Sequence, residues 1–172
     1  MQVVHELGHV AGAWLSGGRV REVVLHPLAI SRTDVSPNPS PLIVVWLGPI
    51  VGCLLPTLAM LLMPTRHPVA SGSAEFFAGF CLIANGGYIA IGSIDQVGDC
   101  AAMLQLGTPH WVLLGFGVLT IPLGFYIWHK QGSLRQFVQN PDVVSHRHAW
   151  VVATAAAGII FLEIVVASAG LP

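Results

Sequence analysis

Long apolar runs alternate with short polar connections along this chain, and the runs set its architecture. The first run starts at Met1 and continues to about Ser16, where Gly17-Gly18 supplies a stop. Residues Arg19 to Leu25 are rich in valine and predict a short strand, after which Pro27, Pro37 and Pro39 break regularity. Pro41 to Met63 is an apolar run of 23 residues, long enough to cross a bilayer. The loop PTRHPVASG follows, and then a third run from Phe76 to Ile94. Residues 95–107 are shorter and more polar, with Asp95 and Asp99. A fourth run extends from Trp111 to Trp128, with a tryptophan at each end as an interfacial belt places them. Residues 129–148 form the most polar connection, and Ala149 to Ala169 is a fifth run.

The pattern predicts an all-α, polytopic transmembrane helical bundle of about five spans, with a short strand-like surface loop after the first helix. The whole of 1–172 reads as one membrane-embedded domain, a core of 1–107 followed by spans at 110–128 and 149–169. A helix from Met1 to Gly17 would rise roughly 25 Å, short of a ~30 Å hydrocarbon core. The expectation is therefore that native sequence precedes Met1. Gly8, Gly12 and Ser16 lie at i, i+4 and i+8, a small-residue ridge that lets another helix approach closely. Gly48 and Gly52 form a second such face around Pro49, in GPIVG.

Composition supports the membrane assignment. Charged residues make up 9% of the chain, against about 25% in soluble domains. The mean hydropathy is +0.74. A net charge of −1 carries no nucleic-acid signal. Cys53, Cys81 and Cys100 stand apart in or beside apolar segments without metal-ligand spacing, so they read as packing residues with no disulfide. Arginine and lysine divide three against four between the two sides, which fixes no orientation. Oligomeric state is likewise not encoded in any visible pattern.

The chemistry is concentrated in HELGH, His5 to His9. Residues four apart share a helix face, so His5 and His9 can offer two imidazole nitrogens to one zinc ion. Glu6 can then reach a water held there and act as general base, the H-E-x-x-H arrangement of zinc hydrolases. A solvated surface helix could carry the same residues by chance. The flanks MQVV and VAGAWL argue otherwise, because two histidines and a glutamate in an apolar helix are costly unless something binds them.

A catalytic zinc has three protein ligands and an open position, so a third ligand is required. His110, His129 and His148 sit near tryptophans at span ends, His26 and His67 lie beside prolines, and the pair in HRH at 146–148 reads as solvated. Asp95 and Asp99 fit better, since the third run returns the chain to the side where the first helix ends. A break at Gly92-Ser93 is expected to let the segment dip toward the metal. Asp99 is the preferred ligand: Gly98 permits a sharp turn, and CAAML can continue as a helix that aims the carboxylate. Its alternative role is a helix cap, and that of Asp95 a solvated span end. Glu163 is an intramembrane acid to which no catalytic role is assigned.

With HELGH, GPIVG and the segment from Asn85 to Asp99 in place, the chain resembles the site-2 protease family of intramembrane zinc metalloproteases. The resemblance covers about residues 1–107. It implies a membrane-embedded HExxH helix, a following span with a glycine-proline motif, and a later asparagine and aspartate, the aspartate being the third zinc ligand. Two departures stand out: Cys100 rather than glycine follows Asp99, and no proline separates Asn85 from Asp99. The resemblance implies a multi-pass integral membrane enzyme of the lipid bilayer, holding one Zn2+ per chain. It would hydrolyse peptide bonds in or near the transmembrane segments of protein substrates. Asn85 would hold a freed backbone group or the developing oxyanion, or else make an interhelical hydrogen bond. The alternative function is a non-enzymatic membrane protein with a structural or transport zinc site. A haem-binding bundle fits less well, because the remaining histidines cluster at span ends.

Overall fold

The computed structural model describes residues 1–25, 31–64, 66, 68–131, 149–151, 153–158 and 160–161. Its elements in order are α1 (Gln2–Leu15), β1 (Val20–Val24), β2 (Arg32–Val35), α2 (Pro41–Leu62), α3 (Pro68–Asp95), α4 (Gly98–Gln105) and α5 (His110–Lys130). A short apolar helix, Ala149–Gly158, follows. His26, His67, the HRH triplet and Glu163 lie outside the described residues, as does the end of the expected fifth span from residue 162 on.

Helix α1 ends where the sequence says it should. Gly17 takes a positive φ of 75°, the left-handed conformation that glycine adopts without penalty. The Gly18 N–H then donates to the Ala13 carbonyl at 2.7 Å, satisfying one of the last helical acceptors. The chain turns directly into the hairpin. Strands β1 and β2 pair antiparallel, with Val20 opposite Val35 and Val23 opposite Thr33. The expected strand is thus half of a two-stranded ribbon. Its partner β2 was not apparent in RTDV, because four mixed residues between proline-bearing loops carry no alternating pattern.

Helices α2, α3 and α5 are each long and apolar enough to cross a membrane. Their outward faces carry Leu54, Leu58, Leu61, Phe76, Phe80, Val118, Leu119 and Phe125, all exposed, as lipid-facing surfaces require. Among the described residues, three of the expected five spans therefore reach full length. Helix α1, at 14 residues, is shorter than the spans beside it. Helix α3 also departs from expectation at both ends. It begins at Pro68, inside the stretch read as a loop, because a proline in the first helical turn forfeits no hydrogen bond. It runs unbroken through Gly92-Ser93 to Asp95. The turn comes three residues later than expected, at Gln96 and Gly98, whose φ angles are 52° and 56°.

Glycines set the closeness of the helix pairs. A β-carbon at Gly8 would meet the Leu47 carbonyl oxygen of α2, and one at Gly12 would come within 2.8 Å of Val44 Cα. The ridge of α1 thus lies against the backbone of α2. On the other side, Gly124 of α5 faces the Gly79 carbonyl oxygen of α3, at 2.7 Å from where its β-carbon would be. Between these pairs, Val45, Ile89, Cys100, Met103 and Leu113 form a buried apolar cluster that pins α4 to the bundle. That cluster holds the start of α4 against α3, and with it Asp99.

Candidate metal centre

Four elements converge beside His5 and His9. Both histidines and Glu6 are buried on α1, at 4%, 5% and 4% exposure, and Asn85 on α3 is fully buried. Asp99 enters from the first turn of α4. Its Oδ2 lies 2.8 Å from His5 Nε2 and 3.3 Å from His9 Nε2. The three ligand-capable atoms all fall within 4.8 Å of one another. Asp95, by contrast, is exposed at the end of α3, and Asp99 is the carboxylate in this group. No side-chain cap bond is made at the start of α4, whose N-cap residue is Val97.

The remaining ring nitrogens decide the electronic character of the site. Asn85 Nδ2 donates to the Cys81 carbonyl at 2.8 Å, which fixes the amide so that Oδ1 faces His5. That oxygen accepts only, so His5 Nδ1, 2.7 Å away, must carry the proton. His9 Nδ1 donates in the same way to the Val44 carbonyl at 2.9 Å. With both Nδ1 atoms protonated, each neutral ring presents its Nε2 lone pair to the Asp99 carboxylate. Two lone pairs and an anionic oxygen at 2.8 and 3.3 Å repel unless positive charge lies between them. Either protons on the imidazoles or a single metal ion provides it. Two ligands at about 2.0 Å in tetrahedral geometry lie roughly 3.3 Å apart, so the donor set fits a metal of that kind. The group has the donor types and the proximity to hold a metal ion.

Burial alone would raise the pKa of the Asp99 carboxyl. Where the imidazoles carry protons on Nε2, hydrogen bonds from His5 and His9 outweigh it and hold the group well below the usual carboxylate range.

Helix α2 lines the other side of the histidines. A β-carbon at Gly48 would strike the His9 ring and lie 2.9 Å from His5 Nε2, while one at Gly52 would lie 2.8 Å from Asn85 Oδ1. The glycines of GPIVG thus provide the space that the imidazoles and the amide occupy. Two cavities open on the group. One of about 120 Å³ is lined by His5, Glu6, Asp99 and Tyr88. The other, of about 310 Å³, runs between the hairpin, α2 and α4, and includes His9, Thr33, Val35 and Asp99 in its wall.

Residues 1–85 match the family model described as Peptidase M50B-like. This part of the chain is site-2 protease-like. The matched region carries His5, Glu6, His9, Gly48 and Asn85 and stops before Asp99, so the M50B-like match and the α4 carboxylate are independent observations. Comparison with the curated proteins and with solved structures found no match.

Two contacts at the site went unnoticed in the sequence. The Tyr88 hydroxyl accepts from the Asp99 backbone N–H at 3.0 Å, holding the start of α4 to α3. A signal for it was present, since Tyr88 follows Asn85 by three residues and so shares its helix face. The Thr33 hydroxyl donates to Glu6 Oε2 at 2.6 Å. Nothing local in the sequence pointed to it, because it depends on how the hairpin folds back over α1.

Proposed function

We propose that this protein is an intramembrane zinc metalloprotease that hydrolyses peptide bonds in or near transmembrane segments of membrane-protein substrates. The observation that carries this reading is the convergence of His5 Nε2, His9 Nε2 and Asp99 Oδ2, with both Nδ1 protons committed elsewhere and Glu6 lining the adjoining cavity. The M50B-like match over residues 1–85 favours the same chemistry. In this reading the chain is a multi-pass protein of the bilayer and takes one Zn2+ on His5, His9 and Asp99.

Zinc bound there would act as a Lewis acid on the substrate carbonyl and make water a competent nucleophile near pH 7. The rest is done by the chain. Glu6 takes a proton from the attacking water and returns it to the leaving amine. Asn85 and the Val44 carbonyl hold the two imidazoles in the ligating tautomer. Asn85 accepts from His5 Nδ1 and donates to the Cys81 carbonyl of its own helix, which supports an orienting role for it. The larger cavity suits a locally unwound segment. Ser31 Oγ and Asn38 Oδ1 are buried, lack hydrogen-bond partners among the described residues, and belong to residues in its wall. Extended backbone groups from a substrate would supply those partners, and strand β2 offers an edge for pairing.

A structural zinc site would need four protein ligands. Among the described residues the group has three, and a cavity lined by His5, Glu6 and Asp99 adjoins it. This favours catalysis over a closed structural site.

The test is Glu6→Gln in zinc-loaded protein. The amide keeps the size of the side chain but cannot take a proton. Zinc content and fold should be retained, and cleavage of a transmembrane test substrate should fall on the order of a hundredfold or more. Cleavage at the wild-type rate would overturn the mechanism.

A further inference from the structure

Resting on the protease reading, we propose that Thr33 is a positioning residue for the general base, so that the β-hairpin is a working part of the catalytic apparatus. Glu6 is buried at 4% exposure, and its Oε2 accepts the Thr33 hydroxyl proton at 2.6 Å. A carboxylate accepts at both oxygens, so this bond fixes the plane of the group while leaving Oε1 able to take a proton. Burial alone does not fix that plane, because the terminal torsion of a glutamate is broad. Threonine suits this role because its branched β-carbon is stiff about χ1 and the strand sets where the hydroxyl points.

Thr33 pairs with Val23 in the ribbon, and the ribbon is tied to the end of α1. The Arg19 N–H donates to the Pro37 carbonyl at 3.1 Å, and the Ser36 N–H to the Arg19 carbonyl at 2.8 Å. Glu6 and Thr33 are therefore held on two parts of one short, closed segment. The same strand forms a wall of the larger cavity through Thr33 and Val35, which share a face two residues apart. A substrate segment lying in that cavity would rest on the strand that aims the base. The hairpin thus links occupancy of the cleft to the orientation of Glu6.

The experiment uses zinc-loaded full-length protein with Thr33→Val, Thr33→Ala and Thr33→Ser. Loss of the hydroxyl should lower kcat about ten- to a hundredfold, with KM and zinc content unchanged, since partners that orient a site group typically act on that scale. Thr33→Ser should return kcat to within about threefold of wild type, because the donor is restored. A second readout needs no turnover. Acetohydroxamate ligates zinc and can hydrogen-bond an adjacent carboxylate, so its affinity reports the aim of Glu6. Thr33→Val should weaken it about tenfold in the wild-type background and less than about twofold in the Glu6→Gln background, as expected for two groups acting as one unit. Wild-type kcat and hydroxamate affinity in Thr33→Val and Thr33→Ala would overturn the proposal. So would effects additive with Glu6→Gln, or loss of zinc. Zinc-loaded wild-type protein that cleaves no substrate would overturn the protease reading instead, while the hydroxamate cycle would still measure the coupling of Thr33 to Glu6.

Discussion

At the α1–α2 interface and at the α3–α5 interface the same device, glycine facing a neighbouring helix, meets different neighbours. Gly117 of α5 faces Ala90 and the Gly86 carbonyl of α3, and Gly79 faces the Trp128 ring. There the space is filled by apolar groups, by backbone and, at Gly86, by the Thr120 hydroxyl, which returns its proton to the Phe116 carbonyl of its own helix. At α1–α2 the glycines Gly8 and Gly12 bring the backbones together, but Gly48 and Gly52 face the His5 and His9 rings and the Asn85 amide. Every one of those polar groups has a partner on another element. Close packing by itself makes a membrane bundle. A site arises where the space that glycine provides is given to ligating groups whose far sides are anchored across helices.

That contrast can be broken most severely at the ligands. Purified protein should hold about one zinc per chain. His5→Ala or His9→Ala should remove most of it, as measured by metal analysis after dialysis. Asp99→Asn should weaken zinc binding and abolish cleavage, whereas Asp95→Asn should leave both near wild type, because Asp95 is exposed and outside the group. The reverse pattern would transfer the ligand to Asp95. A smaller effect is expected one layer out. Asn85→Ala removes the acceptor that fixes the His5 tautomer, and zinc affinity should fall about ten- to a hundredfold in a chelator competition.

The comparison itself is sharpened by matched glycine substitutions. Gly48→Ala pushes a methyl group into the His9 ring, and zinc affinity should drop by roughly tenfold or more. Gly117→Ala meets the Gly86 carbonyl, 2.9 Å from where the β-carbon would lie, and should cost about 1–3 kcal/mol of stability. Zinc affinity in that variant should stay within about twofold of wild type. Equal effects of the two substitutions on zinc would erase the distinction between the interfaces.

Much of this was legible in the sequence, for reasons that particular residues make plain. The bounds of α2 followed from an unbroken apolar run, and HELGH declared its chemistry through helical spacing alone. Asp99 was singled out over Asp95 by the glycine before it, and Gly98 does adopt a left-handed φ of 56°. What failed was whatever depended on tertiary context. The break expected at Gly92-Ser93 did not form: the Ser93 hydroxyl bonds the Ala90 carbonyl of its own helix at 2.6 Å, and the helix continues to Asp95. The extra turns of α3 before Phe76 were hidden by Pro68 and Gly72, which read as breakers but are tolerated at a helix start. The bond from Thr33 to Glu6 spans 27 residues and required a hairpin whose second strand has no pattern of its own.

The central claim is that His5, His9 and Asp99 hold a zinc ion with a position left for solvent. X-ray absorption at the zinc edge of purified, zinc-loaded protein reads the ligand set directly. The account predicts a first shell of nitrogen and oxygen only, at about 2.0–2.2 Å, with the outer-shell scattering of two imidazoles. Addition of acetohydroxamate should then change that shell, because an open position accepts it. Sulfur at about 2.3 Å, scattering from more than two imidazoles, or a shell indifferent to the hydroxamate would contradict it.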